Sequence, residues 1–415
     1  MKLTVVIPTR NRCETLASSL RTCLSQQYDP LEVVVSDNAS EDDTREVVES
    51  FNDPRIRYVN PGQPVSMATN WEFGLSHVTG DYVTFIGDDD GLMPDAMNDV
   101  ASLIVELDAR VVTWNKAQYL WPDYPHEIWR NLMILPYRNE LLRCDSRLLA
   151  RDMASLWTRY DVGPCLYNSF VSVPAIRRIT EQQGGRFFWA FAPDSYSTFA
   201  IGAVIAESWY SLRPFSVNGG AAKSNGANVI KLLRGDENSV TGQFVRERDL
   251  PLHEQFPEQI VGSSVAITVE AALQANDRVW NGALPIDIPG AILKIAREVS
   301  TAEPERYATT VEKLRKLAER RPELRKHVER ALRKYPYRTS NRLGPTLGMN
   351  HRSELTFDAG KFGVTDVESA ARVAANLLGP YKRPAKLGRY THAMKYATRV
   401  AGMLHARVGR SLVWL

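Results

Sequence analysis

Cysteine is scarce. The 415 residues hold four (Cys13, Cys23, Cys144, Cys165), with no CxxC pair and no Cys/His ligand spacing. That argues against a disulfide scaffold and a zinc module, and it fits a reduced cytoplasm. Long apolar runs are missing as well. No stretch reaches the ~18 residues of a membrane-spanning helix. The apolar run at residues 3–7 is too short for a signal-peptide core. Charge of one sign is also lacking, since 51 Lys and Arg stand against 48 Asp and Glu, a formal +3. Nothing in that balance points to nucleic acid. His253 and His351 stand outside any ligand-spaced motif, and no internal repeat or low-complexity tract is present. What remains is an ordinary globular balance, 44% hydrophobic and 24% charged, long enough for two or three domains with cores of their own.

Short β-branched runs alternate with amphipathic stretches through the first half. Residues 3–7, 31–35, 56–59, 82–86 and 111–114 read as strands. Leu16, Leu20 and Leu24 mark one helix face, and Ser40 with Asp43 resembles a capping box opening a helix to about Phe51. Helices are also expected at 66–77 and at 94 to about 107. Alternation of this kind predicts an α/β domain, a doubly wound and mostly parallel sheet with helices on both faces. Residues 115–145, rich in Trp, Tyr and Pro, read as irregular or hairpin structure. Beyond about 265 the chain reads as mainly helical.

Ligands of such sheets collect outside the carboxyl ends of the strands, where this sequence puts its polar clusters. Pro8-Thr9-Arg10-Asn11 ends the first strand. Asp37 ends the second, either as an Asx turn or as an acceptor for a nucleobase N–H. Asp88-Asp89-Asp90 follows the fourth. Three adjacent carboxylates repel unless screened, so the turn is either solvated or a clamp for a hard divalent cation and a diphosphate. Three clusters at successive strand ends favour a nucleotide pocket.

TVVIPTRNR, EVVVSDNASEDDT and GDYVTFIGDDDGLMPDAM, in that order and spacing, resemble the successive motifs of a family 2 glycosyltransferase with a GT-A fold. The likeness covers residues 1–115 and extends to about 226. It implies an inverting, metal-dependent transferase with a nucleotide-sugar donor, UDP-linked by expectation. The acceptor would be a hydroxyl of a glycan or lipid-linked glycan in bacterial surface-polysaccharide synthesis. By the same resemblance Asp37 and the Pro8–Asn11 stretch line the nucleoside pocket. The acidic cluster matches the DXD motif, with Asp88 towards ribose, Asp89 as principal Mn²⁺ or Mg²⁺ ligand and Asp90 its competitor. Thr69-Asn70 stands where many relatives carry Arg-Asn, which puts Asn70 at the donor. The catalytic base matches Asp194 in Ala192-Pro193-Asp194-Ser195; by position alone Asp194 reads rather as a first-turn or N-cap residue favoured by the helix dipole. Asp161 and Glu181 are the other carboxylates in range.

The resemblance divides the chain into a catalytic unit at 1–226 (nucleotide half 1–115, acceptor half 116–226) and a helical region at 227–415. The Gly/Ser/Asn-rich stretch 211–226 reads either as a loop closing over the donor, with Arg213 or Lys223 near phosphate, or as a linker. Trp189, Trp209 and the aromatics at 114–129 are either core or sugar-stacking surfaces. After Glu368 no acidic residue follows, while nine Lys and Arg do. Residues 390–415 fit an amphipathic helix, packed on the protein or lying on the inner face of the cytoplasmic membrane. A rival expectation is a non-catalytic scaffold that binds membrane or a partner enzyme through this basic region.

Overall fold

The computed structural model describes residues 1–339, 344–384 and 387–390. Its first half follows the expected alternation: β1 (Leu3–Thr9), α1 (Cys13–Leu24), β2 (Leu31–Asp37), α2 (Thr44–Ser50), β3 (Ile56–Val59), α3 (Met67–Ser76), β4 (Tyr82–Phe85), β5 (Gly91–Leu92), α4 (Ala96–Leu107) and β6 (Val111–Leu120). Strands β3-β2-β1-β4 lie side by side and parallel, in register Val5↔Val33 and Val5↔Thr84. The strand residues have no polar alternation because both faces are covered. Leu3, Val5 and Ile7 pack towards α1 and α4, while Val6 and Val34 pack with Trp71 of α3 and Phe85. Each of these side chains contributes about 1.5–3 kcal/mol by leaving water.

Helix α3 starts where the sequence placed it. Ser66 is its N-cap and accepts the Thr69 amide at 3.1 Å. The capping box expected at Ser40 does not form. Ser40 turns back to Asp37, and α2 starts at Thr44 behind Asp43, whose side chain makes no cap bond.

The loosely patterned middle is more regular than the sequence indicated. Strands β7 (Leu132–Pro136) and β8 (Leu141–Asp145) are followed by α5 (Ser146–Ala154), β9 (Ser169–Ser172), α6 (Val173–Gln182) and α7 (Pro193–Val204). The stretch read as a donor loop or linker is instead mostly β10 (Glu207–Gly220), a 14-residue strand parallel to β6. Pro214 hid it. Proline breaks a ladder unless it sits at a bulge, and here the register jumps between Ser211 and Ser216. Arg213 accordingly lies far from any phosphate role: it is buried and caps the C-terminal carbonyls Leu378 and Gly379.

Helices α8 (Val229–Leu233), α9 (Val240–Arg246), α10 (Ser264–Arg278), α11 (Ile288–Val299), α12 (Pro304–Arg320) and α13 (Arg325–Lys334) follow. Leu273, Ile292, Ile295, Leu314 and Val328 give α10–α13 a core of their own, while Ala271 and Ala275 of α10 join the core around α7. The chain then rejoins the sheet. β11 (Gly348–Met349) and β12 (Glu354–Asp358) extend it beside β7, α14 (Val367–Leu378) packs on the α1 side, and β13 (Gly388–Arg389) pairs with β8. Among the described residues no helix is long and apolar enough to cross a membrane. The amphipathic helix expected at 390–415 lies outside the described residues, apart from Tyr390.

Candidate active site

The acidic turn is fixed between two strands. β4 enters it, β5 leaves it, and β5 pairs with Ser216 and Val217 of β10. All three carboxylates are buried, and each meets different partners. Asp88 accepts from Thr9 Oγ1 at 2.7 Å and from Arg12 Nη1 at 2.9 Å, which ties the turn to the end of β1. Asp89 Oδ2 accepts from Ser224 Oγ and from the Ala221 amide at 3.3 Å, while the Trp121 indole binds its carbonyl at 3.2 Å. Asp90 accepts the Gly87 and Gly219 amides, both at 2.7 Å, and the Tyr167 hydroxyl. Asp90 therefore holds the turn's shape with both oxygens, whereas Asp89 Oδ1 has no hydrogen-bond partner among the described residues.

Burial, then Asp90, then Asp88 push the Asp89 pKa up, and burial does the same to Asp90. Three carboxylates face one adjacent guanidinium, that of Arg12. Asp89 Oδ1 and Asp90 Oδ2 converge at Gly87, each 3.0 Å from where a side chain there would begin. No cluster of three or more His, Cys, Asp or Glu forms a ready cage among the described residues. Mg²⁺ does not require one, because it commonly uses one or two carboxylates plus substrate phosphates. Excess negative charge, hard oxygen donors and a glycine-sized gap fit a divalent cation. Replacing Tyr167 with Phe is expected to destabilise the protein by ~1–3 kcal/mol, since buried Asp90 loses a donor. Urea unfolding measures this, and an unchanged midpoint would show that Tyr167 is dispensable to the turn.

The two other strand ends lie beside this turn. Asn11 and Ala39, just past β1 and β2, both adopt left-handed backbone (φ 53° and 52°). For alanine that is strained, a cost that tends to gather at functional sites. Asp37 is buried and fully engaged: Ser40 binds one oxygen, and Tyr58 (2.6 Å) and Asn60 (3.2 Å) bind the other. Asn70 turns inward and exchanges bonds with Ser36, its Oδ1 accepting at 2.9 Å and its Nδ2 donating at 3.1 Å. Arg10 is paired to Glu247 at 2.7 Å, and Lys223 reaches the Asn11 carbonyl at 2.8 Å. Thr9, Arg12 and the acidic turn thus form one connected group, with Lys223 and Glu247 crossing the mouth of β1.

Asp194 occupies the first turn of α7 behind Pro193. Its Oδ2 accepts the Tyr160 hydroxyl at 2.9 Å. Burial raises its pKa, against hydrogen bonds from Ser195 and Tyr160 and the charge of Lys116. Lys116, on β6, lies 3.5 Å from Asp161 and 5.8 Å from the centre of the Tyr167 ring. Tyr167, whose hydroxyl donates to Asp90, also feels the charges of Asp89 and Asp194. Asp161 is committed to Lys116 and Arg159.

Arg12, Lys116, Tyr160, Tyr167, Gly219 and Ser224 were not singled out as site residues by the sequence. Only Gly219-Gly220 carried a signal, a glycine pair inside a strand, which marks close backbone approach. Trp114, Trp121 and Trp209 are buried, and Trp189 stacks under Arg278 at 4.4 Å, so these aromatics pack the protein.

Residues 4–156 match the model of glycosyl transferase family 2. The GalNAc(5)-diNAcBac-PP-undecaprenol beta-1,3-glucosyltransferase of Campylobacter jejuni is 37% identical over 100 residues, 23% of this chain and 32% of that protein. The UDP-Glc:alpha-D-GlcNAc-diphosphoundecaprenol beta-1,3-glucosyltransferase of Escherichia coli is 28% identical over 88 residues, 21% of this chain and 35% of that protein. This chain therefore matches about a third of the length of each relative. The crystal structure of S. aureus TarS 1-349 in complex with UDP-GlcNAc aligns with 82% of this chain and 93% of that one, at 15% identity and a TM-score of 0.44. The likeness to glycosyl transferase family 2 thus lies in residues 4–156 of this chain.

Proposed function

We propose that this protein is an inverting, metal-dependent glycosyltransferase. It would move a sugar from a nucleotide-sugar donor, UDP-linked, to a hydroxyl of a glycan or lipid-linked glycan. The observation that carries this reading is the acidic turn joined to the end of β1 through Asp88, with Thr9 and Arg12 both bonded to that carboxylate. We take residues 1–226 as the catalytic unit, with β11, β12 and α14 closing its sheet. The names of the two relatives support a lipid-linked acceptor. That setting would place the protein in the cytoplasm, at the inner face of the membrane, in bacterial surface-polysaccharide synthesis.

In this reading the nucleoside lies at Pro8–Asn11 and Asp37, with Asp88 towards ribose and Asn70 supporting the pocket floor through Ser36. A divalent cation held at Asp89, with Asp90 beside it, would supply countercharge for the departing diphosphate. Ser224 and Ala221 fix the Asp89 carboxylate, and Gly219 and Tyr167 fix that of Asp90. Asp194 takes the proton of the acceptor hydroxyl as its oxygen attacks the anomeric carbon from the face opposite the diphosphate. The breaking C–O bond leaves its electron pair on the β-phosphate oxygen, and the proton passes from Asp194 to solvent.

Calorimetric titration with UDP, GDP and CDP, with and without Mn²⁺, tests the donor half. UDP is expected to bind wild type in a Mn²⁺-dependent manner, and Asp89→Ala is expected to lose that dependence. If no nucleoside diphosphate binds under any condition, the transferase reading fails.

A further inference from the structure

Lys116 is a cation built into the middle of the sheet. Its strand, β6, is paired with β10 and with β7 and β9. β10 bulges out between Ser211, opposite Trp114, and Ser216, opposite Lys116. Bulges beside active sites re-aim side chains, and this one ends at the lysine. The Lys116 side chain is 18% exposed, and its ammonium lies 3.5 Å from Asp161 and 5.8 Å from the centre of the Tyr167 ring. A lysine held this far from water costs free energy unless carboxylates compensate it.

Asp161 belongs to the short helical turn Tyr160–Val162, which also carries the hydroxyl that donates to Asp194 at 2.9 Å. That turn is clipped to α7 by Thr198, whose hydroxyl donates to the Tyr160 carbonyl at 3.2 Å. Lys116, Asp161, Tyr160 and Asp194 therefore link a fixed strand to the candidate base. The charged and titratable groups that act on Asp194 are Tyr160 and Asp161 from the turn, Cys165 and Tyr167 from the chain before β9, and Lys116 from β6. Lys116 is the only positive group in that set. Arg159 also pairs with Asp161, but its own side chain is 43% exposed. Burial pulls Asp194 towards its neutral form, and the lysine opposes that together with bonds from Ser195 and Tyr160. Neighbouring carboxylates compete for protons, so an inner cation lets Asp161 and Asp194 both stay ionised.

We propose that Lys116 is a positioning residue for the transfer reaction. From β6 it holds the Tyr160–Val162 turn through Asp161, and its charge keeps Asp194 ready to accept a proton. An apolar side chain of the same length would fill the space and do neither. The inference rests on the transferase reading for the reaction, though not for the ionisation of Asp194.

Carbon NMR of the full chain, isotope-labelled at the aspartate carboxyl carbons, tests it directly. The Asp194 signal is identified by its absence in Asp194→Asn. Lys116→Met keeps an unbranched, flexible side chain and removes the charge. It is expected to raise the Asp194 titration midpoint by ~1 pH unit, while Lys116→Arg, which keeps the charge, stays close to wild type. If Lys116→Met does not fold, Lys116→Gln makes the same test. An unmoved midpoint in the folded, uncharged variant overturns the proposal. So does a midpoint that rises equally in Lys116→Arg, which would assign the effect to packing. Release of UDP from UDP-glucose or UDP-N-acetylglucosamine across pH supplies the second readout. The acid limb of kcat/KM is expected to rise with the midpoint in Lys116→Met and to return in Lys116→Arg. A limb that stays put while the midpoint moves removes Lys116 from the reaction. A midpoint that moves as expected in a protein that releases UDP from neither sugar nucleotide keeps the ionic link and sinks the transferase reading.

Discussion

Asp194→Asn is expected to lower sugar transfer by ~10²–10⁴-fold, the usual worth of a positioned general base. Asparagine keeps the shape and can still accept the Tyr160 hydroxyl, but its amide cannot take a proton. Nucleotide binding is expected to be unchanged, because the contacts that fix the acidic turn come from Thr9, Arg12, Tyr167, Gly219 and Ser224. The pH profile separates this role from a structural one. Burial raises the Asp194 pKa, so kcat/KM should fall as pH drops through that raised value and the carboxylate becomes protonated. Tyr160→Phe removes a bond that favours the charged form, so that acid limb should move to higher pH. The stability sign runs the other way. A carboxyl with a raised folded-state pKa stabilises the fold at low pH and loses that contribution as pH rises through it. The asparagine variant should therefore be at least as stable as wild type at neutral pH. UDP release from a UDP-sugar, measured across pH, reads the first effect, and thermal unfolding reads the second. Wild-type turnover in a folded Asp194→Asn protein would remove Asp194 from catalysis.

Local signals made the strand–helix alternation of the first half legible. β1 to β4 are short and apolar because both sheet faces are covered, and β1, β2 and β4 each end in a polar cluster at the place where a parallel sheet opens. Such information is contiguous in the chain, so Thr9, Asp37 and Asp88–Asp90 could be named from sequence. The partners that fix those groups could not. Arg12 to Asp88 spans 76 positions, Tyr167 to Asp90 spans 77 and Ser224 to Asp89 spans 135. Nothing local announces such pairs. Asn70 was placed from a pairwise motif, yet its amide is used up on β2. The β10 strand was hidden for another reason: Pro214 and the Gly219-Gly220 pair are loop residues by propensity. Tertiary pairing with β6, β8 and β5 overrides that preference, and the bulge between Ser211 and Ser216 absorbs the proline.

The same strand yields the second large effect. Gly219 shows no positive φ, so alanine would be acceptable to its backbone; the obstacle is space. A Cβ there would lie 1.8 Å from the Asp89 carbonyl oxygen, 2.6 Å from its carbon and 2.8 Å from the Trp121 indole nitrogen. Backbone, not a flexible side chain, must give way. Either β10 moves off and the Gly219 amide leaves Asp90, or the acidic turn moves and Asp89 leaves Trp121, Ala221 and Ser224. Overpacking costs about 1–3 kcal/mol, and a buried carboxylate or carbonyl left a donor short costs about 1–3 kcal/mol more. Gly219→Ala should therefore destabilise the protein by roughly 2–6 kcal/mol and abolish Mn²⁺-dependent UDP binding in whatever fraction folds. Its neighbour supplies the control. A Cβ at Gly220 meets the tip of Leu120 at 2.8 Å, an end that can swing aside, so Gly220→Ala should be mild on both counts. Denaturant unfolding and calorimetry on the two variants decide between a site that depends on β10 touching the acidic turn and one that does not. If Gly219→Ala unfolds with Gly220→Ala and still binds UDP, the turn does not need that contact, and UDP binding does not depend on β10 touching it.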